Sequence, residues 1–190
     1  MENDPIAIFT RINIGKIPLT NSELIRALFL NSSNFSYDNE KLKLRQLEIA
    51  SEWDTIEQSL QRDKFWYFLT GYKKSVNRIE FIFDLMNDDI DREDKYSTFR
   101  FFSAKFKKGN KEIIEEYWLE VKKRYQRFEE WYNERDLYHK IGYLVAINFI
   151  DINKLYNSST EMTKSEFKGY LDELMKESVR NISLDELQYS

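Results

Sequence analysis

Residues that interrupt regular backbone structure are scarce in this chain. Only five glycines and two prolines occur among its 190 residues, and no proline follows Pro18. Because glycine and proline form the tight turns of β-hairpins, a protein built from many short strands would need more of both. Glu, Lys, Leu and Arg, which favour helices, are frequent instead. The sequence therefore predicts an all-α fold, a multi-helix bundle preceded by a short irregular N-terminal segment.

The composition predicts a real core beneath a strongly charged surface. Charged residues make up 33% of the chain, compared with roughly 25% in a typical soluble domain. Phe, Tyr and Trp together supply 16% of the residues, enough large side chains to fill a core or to contact a partner. The net charge of −4 argues against a generally basic nucleic-acid binder. No signal peptide or run of about 20 apolar residues is present, which predicts a cytoplasmic protein without a membrane partner.

The first half of the chain shows three helical patterns. Thr20 and Glu23 have the spacing of a capping box, in which each side chain accepts a hydrogen bond from the other residue's backbone NH, and they predict a helix over residues 20–30. Apolar residues recur about every 3.6 positions over residues 38–61. The following short apolar segment ends at Gly71, which is a typical C-terminal helix residue.

In the second half, residues 111–133 show the clearest amphipathic pattern, with Trp118 and Tyr125 on its apolar stripe. We predict that both side chains lie in the core. Residues 136–149 are apolar on all sides and predict one buried helix. Two further capping boxes, Thr163 with Glu166 and Ser183 with Glu186, predict two more helix starts.

A polar run divides the helical patterns into two groups. The predicted organisation is an irregular opening segment over residues 1–19, a helical unit over 20–87, a polar linker over 88–95 and a second helical unit over 96–190 that packs on the first. The sequence contains no internal repeat.

The motifs of common catalytic sites are missing. A single histidine, His139, cannot supply a zinc site with several His or Cys ligands, and its apolar neighbours favour a structural role. The five glycines are isolated, so there is no phosphate-binding loop, and the chain has neither cysteine nor a GxSxG elbow. Acid-x-Lys pairs such as Glu93 and Lys95 are expected by chance among 33 acids and 29 bases. We predict no catalytic residue and no metal ligand in this chain.

The opening segment combines residue types that suit an anion or nucleotide pocket. Arg11 offers a planar fork for phosphate, Asn13 provides both a donor and an acceptor, and Gly15 permits close backbone approach. The segment leads into the helix start at Thr20, and helix N-termini attract anions. An ordinary helix-entering turn, in which Arg11 and Asn13 satisfy backbone groups, explains the same residues. Physical arguments alone leave both interpretations open.

A wider pattern resembles the GmrSD-type family, the N-terminal ParB-like NTPase module of modification-dependent restriction and anti-phage proteins, long catalogued as a domain of unknown function. The similar positions are Phe9, Arg11, Ile12, Asn13, Gly15, Leu19, Thr20, Glu23 and Leu24. Further similar motifs follow in order: LIRALFLN, FWYFL, NRIEFIFDL (77–85) and LYHKIGYL (137–144). In that family an Asp-Gly-Gln-Gln-Arg motif on a small α/β core precedes this segment, and an HNH nuclease domain often follows. Neither occurs in this sequence.

The resemblance implies the helical part of an NTP-dependent, modification-directed DNA restriction protein, inactive in isolation. The implied nucleotide-pocket residues are Phe9, Arg11, Asn13 and Gly15, and the implied helix-cap residues are Thr20 and Glu23. The implied partner is an upstream ParB-like core of the same polypeptide. NTP with a divalent metal, and DNA, would be bound through the full-length parent, and this chain would hold no cofactor of its own. A homo-oligomer is compatible with this assignment.

Two alternatives come from the residues themselves. The first is a stand-alone all-α module that binds a protein partner through exposed aromatic side chains. The second is a non-specific nucleic-acid binder that uses the basic and aromatic stretches at residues 104–111 and 122–127. Acidic residues flank the second stretch, and Tyr125 belongs to a core stripe, so a solvated helix face is the favoured interpretation there.

Overall fold

The computed structural model describes residues 19–35, 38–106 and 112–188, with side chains described up to residue 181 apart from Asn34. The α-helices of these ranges are α1 (Asn21–Leu30), α2 (Asn39–Leu60), α3 (Asp63–Thr70), α4 (Glu80–Asp84), α5 (Ser97–Phe106), α6 (Ile113–Asn133), α7 (Arg135–Ala146), α8 (Ile152–Thr160) and α9 (Lys164–Gln188). A short 3₁₀ helix, Ser32–Asn34, follows α1. No strand occurs in the described ranges, and the predicted all-α fold is confirmed.

The capping box at the start of α1 is present as predicted. The backbone NH of Glu23 donates to the Thr20 hydroxyl over 3.3 Å, and the backbone NH of Thr20 donates to the Glu23 carboxylate over 2.7 Å. These two bonds satisfy backbone NH groups that a helix start leaves without a partner. The Thr20 hydroxyl also donates to the Glu23 carboxylate, over 2.8 Å. The bonds from the Thr20 backbone NH and hydroxyl hold the pKa of Glu23 below its usual range, because both favour the charged carboxylate.

The predicted helix over residues 136–149 is too long. Helix α7 ends at Ala146, and Asn148 has a left-handed φ of 55°. Asparagine tolerates this conformation better than most residues, because its short polar side chain can bond locally. A separate helix, α8, then begins at the N-cap Asp151, whose side chain accepts from the backbone NH of Lys154 over 2.9 Å. The apolar run continues across this turn, so the hydrophobic pattern does not show the break.

The predicted helix start at Ser183 is also wrong. Helix α9 continues through this position to its end at Gln188. The similar box at Thr163 is real: the backbone NH of Glu166 donates to the Thr163 hydroxyl over 3.3 Å. A capping box requires a non-helical residue at its first position. The chain leaves helical conformation before Thr163 and does not before Ser183, so the same spacing has different outcomes.

One aromatic core joins residues from both halves of the chain. The ring of Phe29 on α1 lies 5.9 Å from Phe83, 5.8 Å from Phe102 and 5.4 Å from Trp118, between ring centroids. Trp118 is fully buried and Tyr125 is 9% exposed, which confirms the predicted core stripe of α6. Helix α1 packs chiefly on α5, and α3 on α7. The predicted limits of the two helical units stay a prediction.

Helices α2 and α6 run parallel, linked by polar pairs whose members lie 70 residues apart in sequence. The pairs are Arg45–Glu115 at 2.6 Å, Glu52–Lys122 at 2.8 Å and Ser59–Glu129 at 3.5 Å. They recur at every seventh residue, the spacing at which flanking polar pairs of parallel coiled coils recur. The buried apolar residues of α2 lie between them at spacings of three and four (Ile49, Trp53, Ile56 and Leu60). This pairing fixes the orientation of α2 against the core helix α6.

Candidate functional site

The predicted pocket residues Phe9, Arg11, Asn13 and Gly15 lie outside the described residues, so their assignment stays a prediction. The structure does show the surroundings of Thr20 and Glu23, at the junction between the opening segment and α1. This junction is the candidate site. Polar groups are buried beneath it, which is unusual for the first turn of a helix on a heavily charged protein.

Asn21, the first residue of α1, is only 4% exposed and bonds to two other helices. Its side-chain NH₂ donates to the Glu80 carboxylate of α4 over 2.6 Å. Its side-chain oxygen accepts from the backbone NH of Phe99 on α5 over 3.0 Å. Both ends of the amide are therefore used, and the start of α1 is fixed against α4 and α5.

Asn77 extends this network from the loop before α4. Its side-chain NH₂ donates to the Ser22 hydroxyl over 2.6 Å and to the second carboxylate oxygen of Glu80 over 3.2 Å. Glu80 thus accepts from two amides, those of Asn21 and Asn77. We call Asn21, Ser22, Asn77 and Glu80 the junction network. Because each member has a partner from a distant part of the chain, the network is stabilising and specific rather than an uncompensated cost of burial.

A second carboxyl group, Asp84, lies one helical turn after Glu80. The hydroxyl of Thr98 on α5 donates to it over 2.5 Å. Burial raises the pKa of Asp84 to about 6, an effect that the Thr98 hydrogen bond opposes and the negative charge of Glu80 increases. Helix α4 therefore carries two acids, Glu80 against the start of α1 and Asp84 against α5, whose described hydrogen-bond donors are neutral amides and a hydroxyl.

Sequence reasoning missed this network. Asn21 and Ser22 follow the cap residue, where polar side chains normally face solvent, and Glu80 is within an apolar segment. The only signal was the presence of a charged residue inside the apolar run RIEFIFDL, because a charge within a buried segment usually has a specific partner. Among the described residues, no group of three or more His, Asp or Glu side chains is arranged to hold a metal ion.

The raised pKa of Asp84 predicts a measurable pH dependence. The folded protein holds this proton more tightly than the unfolded chain, whose ordinary Asp pKa is 3.8. The contribution of this proton to the free energy of unfolding is fully present below about pH 4 and is lost as the pH rises through about 6. Asp84→Asn keeps an acceptor for Thr98 and removes the charge. We expect it to raise the free energy of unfolding at pH 8 by about 1–2 kcal/mol, a value reduced from the full pKa difference because the carboxyl is partly exposed.

Denaturant unfolding of wild type and Asp84→Asn between pH 4 and pH 8 measures this effect. The free energies of unfolding of the two proteins should be nearly equal at pH 4 and should diverge as the pH rises to 8. Asp89→Asn, at an exposed position soon after α4, is the matched control and should follow the wild type. If the free energy of unfolding changes with pH in the same way for wild type and Asp84→Asn, Asp84 is not a buried carboxyl with a raised pKa.

The single histidine lies on the surface. His139 is exposed on α7, where its ring contacts the edge of Tyr138 at 5.4 Å between centroids. Its apolar neighbours in sequence favour a structural role, which stays a prediction. Those neighbours face the core on the opposite side of α7, as Leu137, Ile141 and Leu144 show.

The basic stretch at residues 122–127 is occupied by internal ion pairs. Lys122 pairs with Glu52 of α2 at 2.8 Å, and Arg127 lies 3.6 Å from Glu130. Arg124 lies over the ring of Tyr156 at 4.2 Å, which gives a cation–π contact. These cations have protein partners, so the stretch gives little support to phosphate binding. In the stretch at 104–111, residues 107–111 lie outside the described residues.

Comparisons with known proteins yield no relative. No family model matches the chain, and neither a curated protein nor a solved structure is significantly similar to it. The resemblance to the GmrSD type therefore depends on the motifs in the sequence and stays a prediction. None of the described helices combines the length and the apolar character that crossing a membrane requires.

Proposed function

We propose that this chain is the helical part of a GmrSD-like, NTP-dependent, modification-directed DNA restriction and anti-phage protein. In this proposal Phe9, Arg11, Asn13 and Gly15 form one wall of a nucleotide pocket. An upstream ParB-like core of the same polypeptide completes the pocket and binds the NTP with its divalent metal. The chain is inactive in isolation and contacts DNA only through the full-length protein.

The supporting observation is the junction network. A pocket wall must be held in a fixed position, because binding energy is lost when a site has to be ordered at the moment of binding. The opening segment joins α1 at Thr20, and α1 is tied at that point to α4 and α5 through Asn21 and Ser22. These hydrogen bonds thus hold the helix start that directly follows the residues resembling the family signature.

The alternative of a stand-alone protein-interaction module has one observation in its favour. Leu44 and Leu47 are 63% and 68% exposed on the first half of α2. The four tryptophans (Trp53, Trp66, Trp118 and Trp131) are all buried, however, and are not offered to a partner. Since tryptophan is the side chain most enriched in interface hot spots, the structure favours this alternative less.

Substitution of Asn13 separates the proposed function from a structural role. We expect Asn13→Ala to leave the melting temperature of this chain unchanged, because its proposed partner is a nucleotide held with the upstream core. In the polypeptide that includes the core, the same change should weaken nucleotide binding or hydrolysis at least several-fold. A lost hydrogen bond to a charged group is worth roughly 1.5–3 kcal/mol.

Thr20→Ala is the matched control for the Asn13 experiment. It removes the cap of α1 and should cost about 1 kcal/mol of stability with or without the core. Thermal melts of both variants and nucleotide hydrolysis by the core-containing polypeptide provide the comparison. If Asn13→Ala lowers the melting temperature and leaves hydrolysis intact, Asn13 is structural and the pocket assignment is wrong.

A further inference from the structure

Helices α3 and α7 enclose an aromatic cleft on the surface that the proposed nucleotide pocket does not use. Its volume is about 390 Å³, within the range of small-ligand sites. We call it the tyrosine cleft and define it by Lys64, Tyr67, Tyr72, Tyr138, His139 and Tyr143. Four tyrosines at one opening are notable in a protein that buries most of its large aromatic rings.

The rings of the tyrosine cleft are arranged in stacked pairs. Tyr67 and Tyr72 stack with 5.2 Å between centroids and 28° between planes. On the other wall, Tyr138 stacks on Phe68 at 5.4 Å and 12°. Tyr72 is 70% exposed, so the face of its ring that does not cover Tyr67 is available to a planar ligand. A planar ligand on that face would add a further ring to the Tyr67–Tyr72 stack.

The backbone that presents Tyr72 is strained. Gly71 and Tyr72 both have left-handed conformations, with φ of 60° and 72°. Gly71 is required because a Cβ there would lie 2.8 Å from the carbonyl oxygen of Val145 at the end of α7. Tyr72 follows directly, and a bulky side chain with positive φ is a true outlier. Strain of this kind typically occurs at binding sites, where the position of the side chain matters more than stability.

The polar groups of the cleft favour a nucleobase over a purely apolar ligand. Tyr67, Tyr72, Tyr138 and Tyr143 line the cleft, and a tyrosine hydroxyl can donate to or accept from the edge of a base. Lys64 also lines the cleft, and its ammonium group can contact a phosphate. Gly142 has no side chain, which leaves the floor open to the ring of Phe68.

We propose that the tyrosine cleft binds an unpaired base of single-stranded DNA, stacked on Tyr72 and with its phosphate near Lys64. Aromatic platforms with adjacent cations are the general means by which proteins hold single strands. The net charge of −4 disfavours the approach of a polyanion, so we expect the contact to be weak. This site is formed by helices other than those of the junction network and does not depend on the proposed nucleotide pocket. It goes beyond the proposed function, in which DNA is bound only through the full-length protein, because it gives this chain a DNA contact of its own.

The test is binding of a fluorescent 20-nucleotide single strand of mixed sequence, followed by anisotropy at low salt. Tyr72→Asn is the decisive variant, because asparagine tolerates the left-handed backbone but cannot stack as an aromatic ring does. We expect it to weaken binding about 5- to 100-fold while the melting temperature stays the same or rises. Tyr72→Phe keeps the ring and should bind as the wild type does.

Two further arms identify the ligand. Lys64→Ala should weaken binding and reduce its salt dependence, whereas Lys43→Ala, an exposed lysine on α2, should change neither. A duplex of the same sequence should bind more weakly than the single strand, because its bases are already stacked. Equal affinity for duplex and single strand, wild-type binding by Tyr72→Asn, or no binding of the single strand by the wild type would each overturn the proposal.

Discussion

Replacing Trp118 with alanine is expected to lower the free energy of unfolding by about 3–5 kcal/mol. The indole is fully buried at the centre of the bundle. It stacks on Trp53 of α2, with 6.1 Å between centroids and 6° between planes, and contacts Phe29 of α1. Its ring NH also donates to the carboxylate of Glu52 over 2.5 Å. Alanine would leave a cavity where three helices meet and remove one donor from a half-buried acid.

Two control variants divide this loss into its parts. Trp118→Phe keeps most of the ring and removes the donor to Glu52, so it should cost less than Trp118→Ala. Leu119→Ala changes the neighbouring side chain, which is 48% exposed, and surface changes usually alter stability by no more than about 0.5 kcal/mol. Denaturant unfolding of the three variants provides the comparison. An unchanged midpoint for Trp118→Ala would contradict the burial of the indole.

The helical fold could be predicted because its signals are local. The capping bonds of Thr20 and Glu23 join residues three positions apart, and the core stripe through Trp118 and Tyr125 follows the 3.6-residue period of one helix. Patterns of this kind need no knowledge of the rest of the chain. They identified most of the helices and, on α6, the face that contacts the core.

The errors arise where a local pattern has two structural meanings. The apolar run over residues 136–149 fits one long helix, but Asn148 turns the chain and α8 begins after it. The spacing of Ser183 and Glu186 fits a helix start, but α9 is already helical there. In both cases the deciding factor is whether the backbone changes conformation, which depends on tertiary packing and not on spacing.

The polar contacts of the candidate site could not be predicted because their partners are distant in sequence. Asn21 bonds to Glu80 and to the backbone of Phe99, which lie 59 and 78 positions away. The pairs between α2 and α6 span 70 positions. Apart from Glu80, which lies inside an apolar run, these polar side chains cannot be distinguished from solvated ones in the sequence alone. The pocket residues that the motif indicates, such as Asn13, lie outside the described part of the chain.

Asn21→Asp tests whether the junction network fixes the start of α1. The substitution preserves size and keeps an oxygen for the backbone NH of Phe99. It replaces the NH₂ that donates to Glu80 over 2.6 Å with a second carboxylate oxygen. Two unit charges about 4 Å apart repel by about 4 kcal/mol at the effective dielectric constant of such sites. We expect a loss of about 3 kcal/mol at neutral pH, some repulsion being relieved by side-chain movement.

The effect should depend on pH and on the charge of Glu80. Adjacent carboxylates raise each other's pKa, so one of the pair takes up a proton as the pH falls. The stability of Asn21→Asp should therefore be closest to wild type near pH 4 and should decrease as the pH rises to neutrality. In the double variant Asn21→Asp/Glu80→Gln, the glutamine NH₂ can donate to the new aspartate, so the network is restored with donor and acceptor exchanged. Unfolding of the two single variants and the double variant at pH 7 gives the coupling free energy between the two positions. We expect the double variant to recover most of the loss.

If Asn21→Asp costs as much stability with glutamine at position 80 as with glutamate, the two side chains are not coupled. The start of α1 must then be held by other contacts, and the junction network would no longer support the nucleotide-pocket proposal.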